Sequence, residues 1–308
     1  MYIHLHWHSH YSLLEAIWSP KNIAREAADY EMKAIALTDY NGLFGAIEFY
    51  KACQNKEVNP IIWVELGYVS DQTVKDKSED SGNIVLLAKN YQWYQQLLKI
   101  VSEANLHGWN NDKARIDKSI LEKHAKDLYL LIGGNQSVLA KMILNNESEE
   151  KIIAGIWSIK NTIGKENIII ELIVQDESKH PRIKKINKVL EKLASQEELT
   201  ITCANNFHYT DEADQKVSEV ALAIKDGKRM FDDDRRKVTL QQHIMSEDEI
   251  RTTATNNGRD AGLVDQMINN TAMIAESISI EIPLWKILFP KYESPEYIKD
   301  LYAEFQKG

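Results

Sequence analysis

Apolar positions along the chain switch repeatedly between two periods. Residues 2–8 alternate apolar and polar with period two, the pattern of a half-buried strand. Residues 21–32 follow with Ile23, Ala24, Ala27 and Ala28 spaced for one helical face, and Pro20 stands at the helix entrance. The theme then repeats. Short apolar runs at 34–37, 61–65, 84–88, 128–132, 168–173 and 200–203 predict strands. Helical spacing at 45–54, 91–105, 181–194, after Gln136, after Ser148 and from Asp211 predicts helices between or after them. The polar stretch from Ser70 to Gly82 reads as a loop or a short hairpin excursion. Regular alternation of this kind predicts an α/β fold with a mainly parallel sheet covered by helices. A closed barrel and an open doubly wound sheet both satisfy it.

Two motif absences change that picture. No G-x-G-x-x-G follows a strand and no G-x-x-x-x-G-K-[ST] occurs, so nucleotide-binding open sheets lose their main support. After about residue 278 the pattern gives way to an extended segment with Pro283, Pro290 and Pro295, which predicts a connector into something further.

Composition narrows the classes. Hydrophobic residues make up 44% and charged residues 27% of the 308, near the averages for a globular chain. No apolar run approaches the roughly 20 residues that a membrane-spanning helix needs. The opening MYIHLHWHSH lacks the basic and apolar regions of a signal peptide. Cys53 and Cys203 give no disulfide framework, and the expected location is the cytoplasm, with no membrane partner. Net charge is −9, so an overall electrostatic field cannot draw the chain to nucleic acid. The one dense basic patch, Lys225, Lys228, Arg229, Arg235, Arg236 and Lys237, is interrupted by Asp232, Asp233 and Asp234. Those three aspartates read as a solvated acidic turn.

The first strand carries the most unusual chemistry. His4, His6, His8 and His10 all stand at even positions, and alternate residues of a strand share a face. His6 and His8 could therefore present two imidazoles to one metal ion, near the strand end where a barrel places its chemistry. Asp39, Glu65 and His208 fall at the ends of other predicted strands. Neutral imidazoles with a few carboxylates are the ligands that zinc or manganese takes. Each of the three also has a plainer reading: a helix N-cap for Asp39, a turn charge for Glu65, a hydrogen-bonded loop imidazole for His208.

These residues carry a resemblance. His4-Leu5-His6-Trp7-His8-Ser9 and then Tyr11-Ser12-Leu13-Leu14-Glu15 are similar to the opening of the PHP (polymerase and histidinol phosphatase) domain. The closer resemblance is to the PHP domain that begins bacterial C-family replicative DNA polymerases, in the polymerase III alpha subunit. It continues through Thr38-Asp39, residues 41–50, Val85-Leu86-Leu87-Ala88-Lys89-Asn90, Asn205-Asn206-Phe207-His208 and the tail to Tyr292.

The resemblance implies a distorted (β/α)7 barrel, TIM-barrel-like, over residues 1–278. Residues 279–308 would be a linker and the truncated start of a polymerase module. It implies metal ligands at His6, His8, Glu15, Glu65 and His208. At four further ligand positions this chain departs from the family, with Tyr40 for histidine, Asn83 for histidine, Gly134 for cysteine and Asn206 for aspartate. A phenol titrates near pH 10, an amide carries no charge and glycine has no side chain. A divalent cofactor, zinc or manganese, is expected at reduced occupancy or absent, and no residue is assigned a catalytic role. The implied partners are the remainder of the polymerase chain, a proofreading exonuclease subunit, and DNA through the full-length polymerase. The expected role is structural or docking, with a metal-dependent 3′–5′ exonuclease or phosphoesterase as the alternative. A stand-alone histidinol phosphatase fits the barrel equally but not residues 43–50 or the tail.

Overall fold

The computed structural model describes residues 1–76 and 81–286. The elements are α1 (Pro20–Asp29), β1 (Ala34–Leu37), α2 (Ala46–Gln54), β2 (Asn59–Tyr68) and β3 (Gly82–Leu87). Then come α3 (Tyr91–Leu106), β4 (Arg115–Ile116), α4 (Lys118–His124), β5 (Tyr129–Gly133), α5 (Val138–Leu144) and α6 (Glu149–Ile163). The chain continues with β6 (Ile168–Ile173), α7 (Pro181–Gln196), β7 (Thr200–Ala204), α8 (Gln215–Lys225), α9 (Glu247–Asn256) and α10 (Ala261–Glu276). Local chemistry sets the helix starts. Ser19 accepts from the Asn22 amide ahead of Pro20, Asp117 caps α4, Ser137 caps α5, and Ser246 with Glu249 forms a capping box on α9.

The sheet runs β1-β2-β3-β5-β6-β7, with β4 paired to β2. Pairing is parallel except around β3, which is antiparallel to both β2 and β5. A parallel return needs a crossover of about a dozen residues or more, usually helical. The polar stretch after β2 has no helical period, so β3 comes back the other way. Its start therefore lies at the rim where the parallel strands end, and this puts Asn83 at the mouth.

The N-terminal segment joins the two sheet edges. Its His4 and Trp7 carbonyls accept from the Ala36 and Thr38 amides of the β1 side, while the His8 amide donates to the Phe207 carbonyl beyond β7. The strand expected at residues 2–8 is thus extended, but only Trp7 forms a ladder bridge. It is also buried on both faces rather than one. Trp7 packs among Ile23, Ala24, Ala27, Phe49 and Phe207 outside the sheet, while the even positions take the other side. The result is a distorted barrel. The strands β5, β6 and β7 are buried on both faces because helices cover the outside and neighbouring strands fill the inside.

Residues 278–282 return to the opposite rim. The Ser279 backbone amide donates to the Lys89 carbonyl, the Asn59 side-chain amide to the Ile278 carbonyl, and Ile280 is buried. Trp285 is 85% exposed. The remainder of the expected 279–308 connector, residues 287–308, lies outside the described residues.

Candidate metal centre

At the mouth, His6, His8 and Glu65 bring one ligand atom each within 4.8 Å of one another. All three are buried. His6 is gripped from both ends: Nε2 lies 3.0 Å from Glu65 Oε2, and Nδ1 lies 2.9 Å from Glu171 Oε2. Burial opposes charge on His6, but Glu171 and then Glu65 outweigh it and hold the imidazole up at about 10. His8 has the opposite character. Burial, then the neighbouring His208 and His6 rings, push it well below the ordinary value, so it is neutral.

The His8 ring shows what the cluster lacks. Nδ1 lies 3.5 Å from Ser12 Oγ, whose own proton goes to Asp39 Oδ1 at 2.7 Å. A proton on Nδ1 turns a lone pair on Nε2 toward Glu65 Oε2, 3.5 Å away. Among the described residues that Nε2 has no hydrogen-bond partner. A buried lone pair facing a carboxylate oxygen is satisfied by a cation between them, so the residues present fit one divalent ion. The adjoining cleft is lined by His6, Glu65, Asn83, Gly134, Gln136 and Asn206 among others.

The other expected positions lie around this trio and do other things. Glu15 pairs with Lys225 at 2.8 Å and with Arg236 at 3.1 Å. Asp39 accepts from the Ser9 amide, Ser9 Oγ and Ser12 Oγ, each at 2.7 Å, and so fixes the turn after His8 rather than capping a helix. His208 stacks near His8, with ring centroids 4.7 Å apart, and its Nδ1 contacts the Asn206 carbonyl and the Gln242 amide. Burial lowers His208 to about 4. His4 contacts the Met245 carbonyl, and burial lowers it to about 3. Tyr40 lies flat on the His8 ring, centroids 4.1 Å apart and planes 11° apart. Burial, followed by Glu65, raises its phenol well above the ordinary value, so it stays protonated. Asn83 donates to Glu65 Oε1 at 2.6 Å. Gly134 has φ +68° and Asn206 φ +49°, both left-handed. The Asn206 Oδ1 is buried without a partner among the described residues. Asp234 meets Lys228, and Asp232 accepts from the Arg229 amide, in the solvated turn that the charge pattern implies.

Glu171 was not singled out from the sequence. The signal was a lone carboxylate inside the strand IIIELI, apolar at every other position. At 1% exposure it is the most deeply buried acid at the mouth.

The PHP domain family model matches residues 4–175. The chain belongs to the PHP domain family. This PHP domain is 30% identical over 303 residues to a DNA polymerase III subunit alpha from Borreliella burgdorferi, covering 96% of this chain and 25% of that one. It is 29% identical over 307 residues to the Thermus aquaticus subunit of the same name, covering 96% and 24%. The chain thus spans about a quarter of the length of the curated relatives it matches. Among solved structures, a two-domain protein containing a predicted PHP-like metal-dependent phosphoesterase from Bacteroides vulgatus aligns at TM-score 0.41 and 10% identity. It covers 74% of this chain and 56% of that one. Among the described residues of the PHP domain no helix is long and apolar enough to cross a membrane.

Proposed function

We propose that this chain is the N-terminal PHP domain of a bacterial replicative DNA polymerase III alpha subunit, working in the cytoplasm as a scaffold and docking domain. Its hydrolytic site is reduced to a one-ion centre. The observation that carries the reading is the contrast within the ligand set. His6, His8 and Glu65 converge, whereas Tyr40, Asn83, Gly134 and Asn206 bring no negative charge and Glu15 is engaged by Lys225 and Arg236.

His6, His8 and Glu65 would hold zinc or manganese. When bound, such an ion supplies Lewis acidity. Phosphodiester cleavage of the two-metal kind needs ions about 3.5–4 Å apart on both attacking and leaving oxygens, and this chain offers no second converging set among its described residues. Tyr40 instead covers one face of His8. The partners that follow are the rest of the polymerase chain, a proofreading exonuclease subunit, and DNA reached through the whole polymerase.

The alternative is a metal-dependent 3′–5′ exonuclease or phosphoesterase running on one ion. The unpartnered His8 Nε2 facing Glu65 favours it. Incubation with labelled single-stranded DNA and Mn²⁺ or Zn²⁺ separates the two. The scaffold reading predicts no nucleotide release at high protein concentration, with His8→Ala identical to the parent. Release that disappears in His8→Ala would establish the alternative.

A further inference from the structure

A ligand set of three works only if each ligand presents the right atom. Imidazoles and carboxylates each carry two donor atoms, so something must turn the correct one inward. In this site two of the three, Glu65 and His6, are held from behind by buried groups. The Asn83 amide occupies Glu65 Oε1 at 2.6 Å, which leaves Oε2 toward His6 and His8. Glu171 Oε2 occupies His6 Nδ1 at 2.9 Å, which leaves Nε2 on the Glu65 side.

Glu171 is hard to explain as packing. It is 1% exposed in a strand otherwise made of isoleucine and leucine, and its Oε1 has no partner among the described residues. A buried carboxylate with an unmet oxygen is costly, and an apolar residue of similar volume is usually as stable or more so. Beside it, the space at Gly134 opens onto Glu171 Oε2, 3.6 Å from where a Cβ would stand. The β5 end is thus glycine on the side where β6 carries its one acid.

We infer that Glu171 and Asn83 are the positioning residues of the one-ion centre, Glu171 by fixing His6 through Nδ1 and Asn83 by fixing Glu65 through Oε1. The inference rests on the reading that His6, His8 and Glu65 hold a divalent ion. It gives Asn83 a use: at a position where a ligand is missing, the amide aims a ligand that remains.

The test is calorimetric titration of the chain with Zn²⁺ and with Mn²⁺, in the parent, Glu171→Gln, Glu171→Leu and Asn83→Ala, with the Co²⁺ absorption spectrum of each recorded alongside. Loss of a supporting partner of this kind typically weakens metal binding about 10–100-fold. Glu171→Leu and Asn83→Ala are expected in that range at unchanged stoichiometry, with altered Co²⁺ spectra. Glu171→Gln, which keeps an acceptor for Nδ1–H, should recover part of the loss. It also serves if the leucine variant does not fold. Folded Glu171 and Asn83 variants with parental affinity and spectra would overturn the inference and leave the one-ion reading standing. A parent that binds neither ion would remove that reading, and the inference with it.

Discussion

The residues at the barrel mouth fall into two sets that alternate around it and differ in kind. The N-terminal segment, β2 and β6 supply His6, His8, Glu65 and Glu171, buried and paired largely with one another, although His8 Nε2 and Glu171 Oε1 have no partner among the described residues. Between them in strand order, the turn after β1, the start of β3, the end of β5 and the turn after β7 supply Tyr40, Asn83, Gly134 and Asn206. These stack, donate or simply turn the chain. The difference teaches that uncharged residues can support the charged ones they separate. Tyr40 covers the His8 face, Asn83 braces Glu65, and Gly134 makes a left-handed turn that a side chain would strain. The charged set, by contrast, contributes to stability only while its members are together.

The largest effect expected follows from that last point. His6→Ala strips the cation from between Glu65 and Glu171, and breaking a buried pair typically costs about 3–5 kcal/mol. Urea unfolding in chelator should show that loss, and a change within error of zero would mean the charged set is not held by His6. Acid should act next. His4 is buried neutral with its value lowered from 6.5 to about 3. Its contribution is therefore complete above pH 6.5 and is lost as pH falls from there toward 3. The slope is at most about 1.4 kcal/mol per pH unit. Stability measured from pH 7 to 5 should fall, and more steeply than in His4→Gln; parallel curves would contradict it.

Rebuilding the uncharged set should cost less but still be resisted. Gly134→Cys introduces the cysteine that the resemblance implies there, in a left-handed conformation that a non-glycine residue adopts at roughly 1–2 kcal/mol. The variant should melt lower and bind no additional zinc on its own, whereas a second bound zinc would show a second site to be one residue away. The smallest effect belongs to Glu15. Its partners Lys225 and Arg236 are 37% and 46% exposed, so Glu15→Gln should cost less than about 1 kcal/mol and fade in high salt. A fall in metal affinity in Glu15→Gln would instead place Glu15 among the ligands.

Much of this architecture could be read from the chain. The strands β1, β6 and β7 coincide within a residue with the runs predicted as strands, and α1, α3 and α7 with one-sided apolar spacing behind Ser19, Asn90 and Pro181. The direction of β3 was not legible, because a strand's alternation is the same in either sense; only the missing helix before it carried the information. The two-residue β4 and the seven-residue α4 are too short for a period to register. In the site, the shared parity of His6 and His8 foretold their convergence, since parity is what a strand converts into a face. Glu171 lies inside a run that the pattern marks only as a strand. The pairing of Glu15 depends on the end of α8 and the loop beyond it, more than two hundred residues away, which no local pattern encodes.

The most direct test of the central claim is metal stoichiometry by native mass spectrometry after dialysis against Zn²⁺ and Mn²⁺, with a single-strand exonuclease assay on the same sample. The account predicts one ion per chain and no nucleotide release. Two or more ions per chain, with release that His8→Ala abolishes, would contradict it.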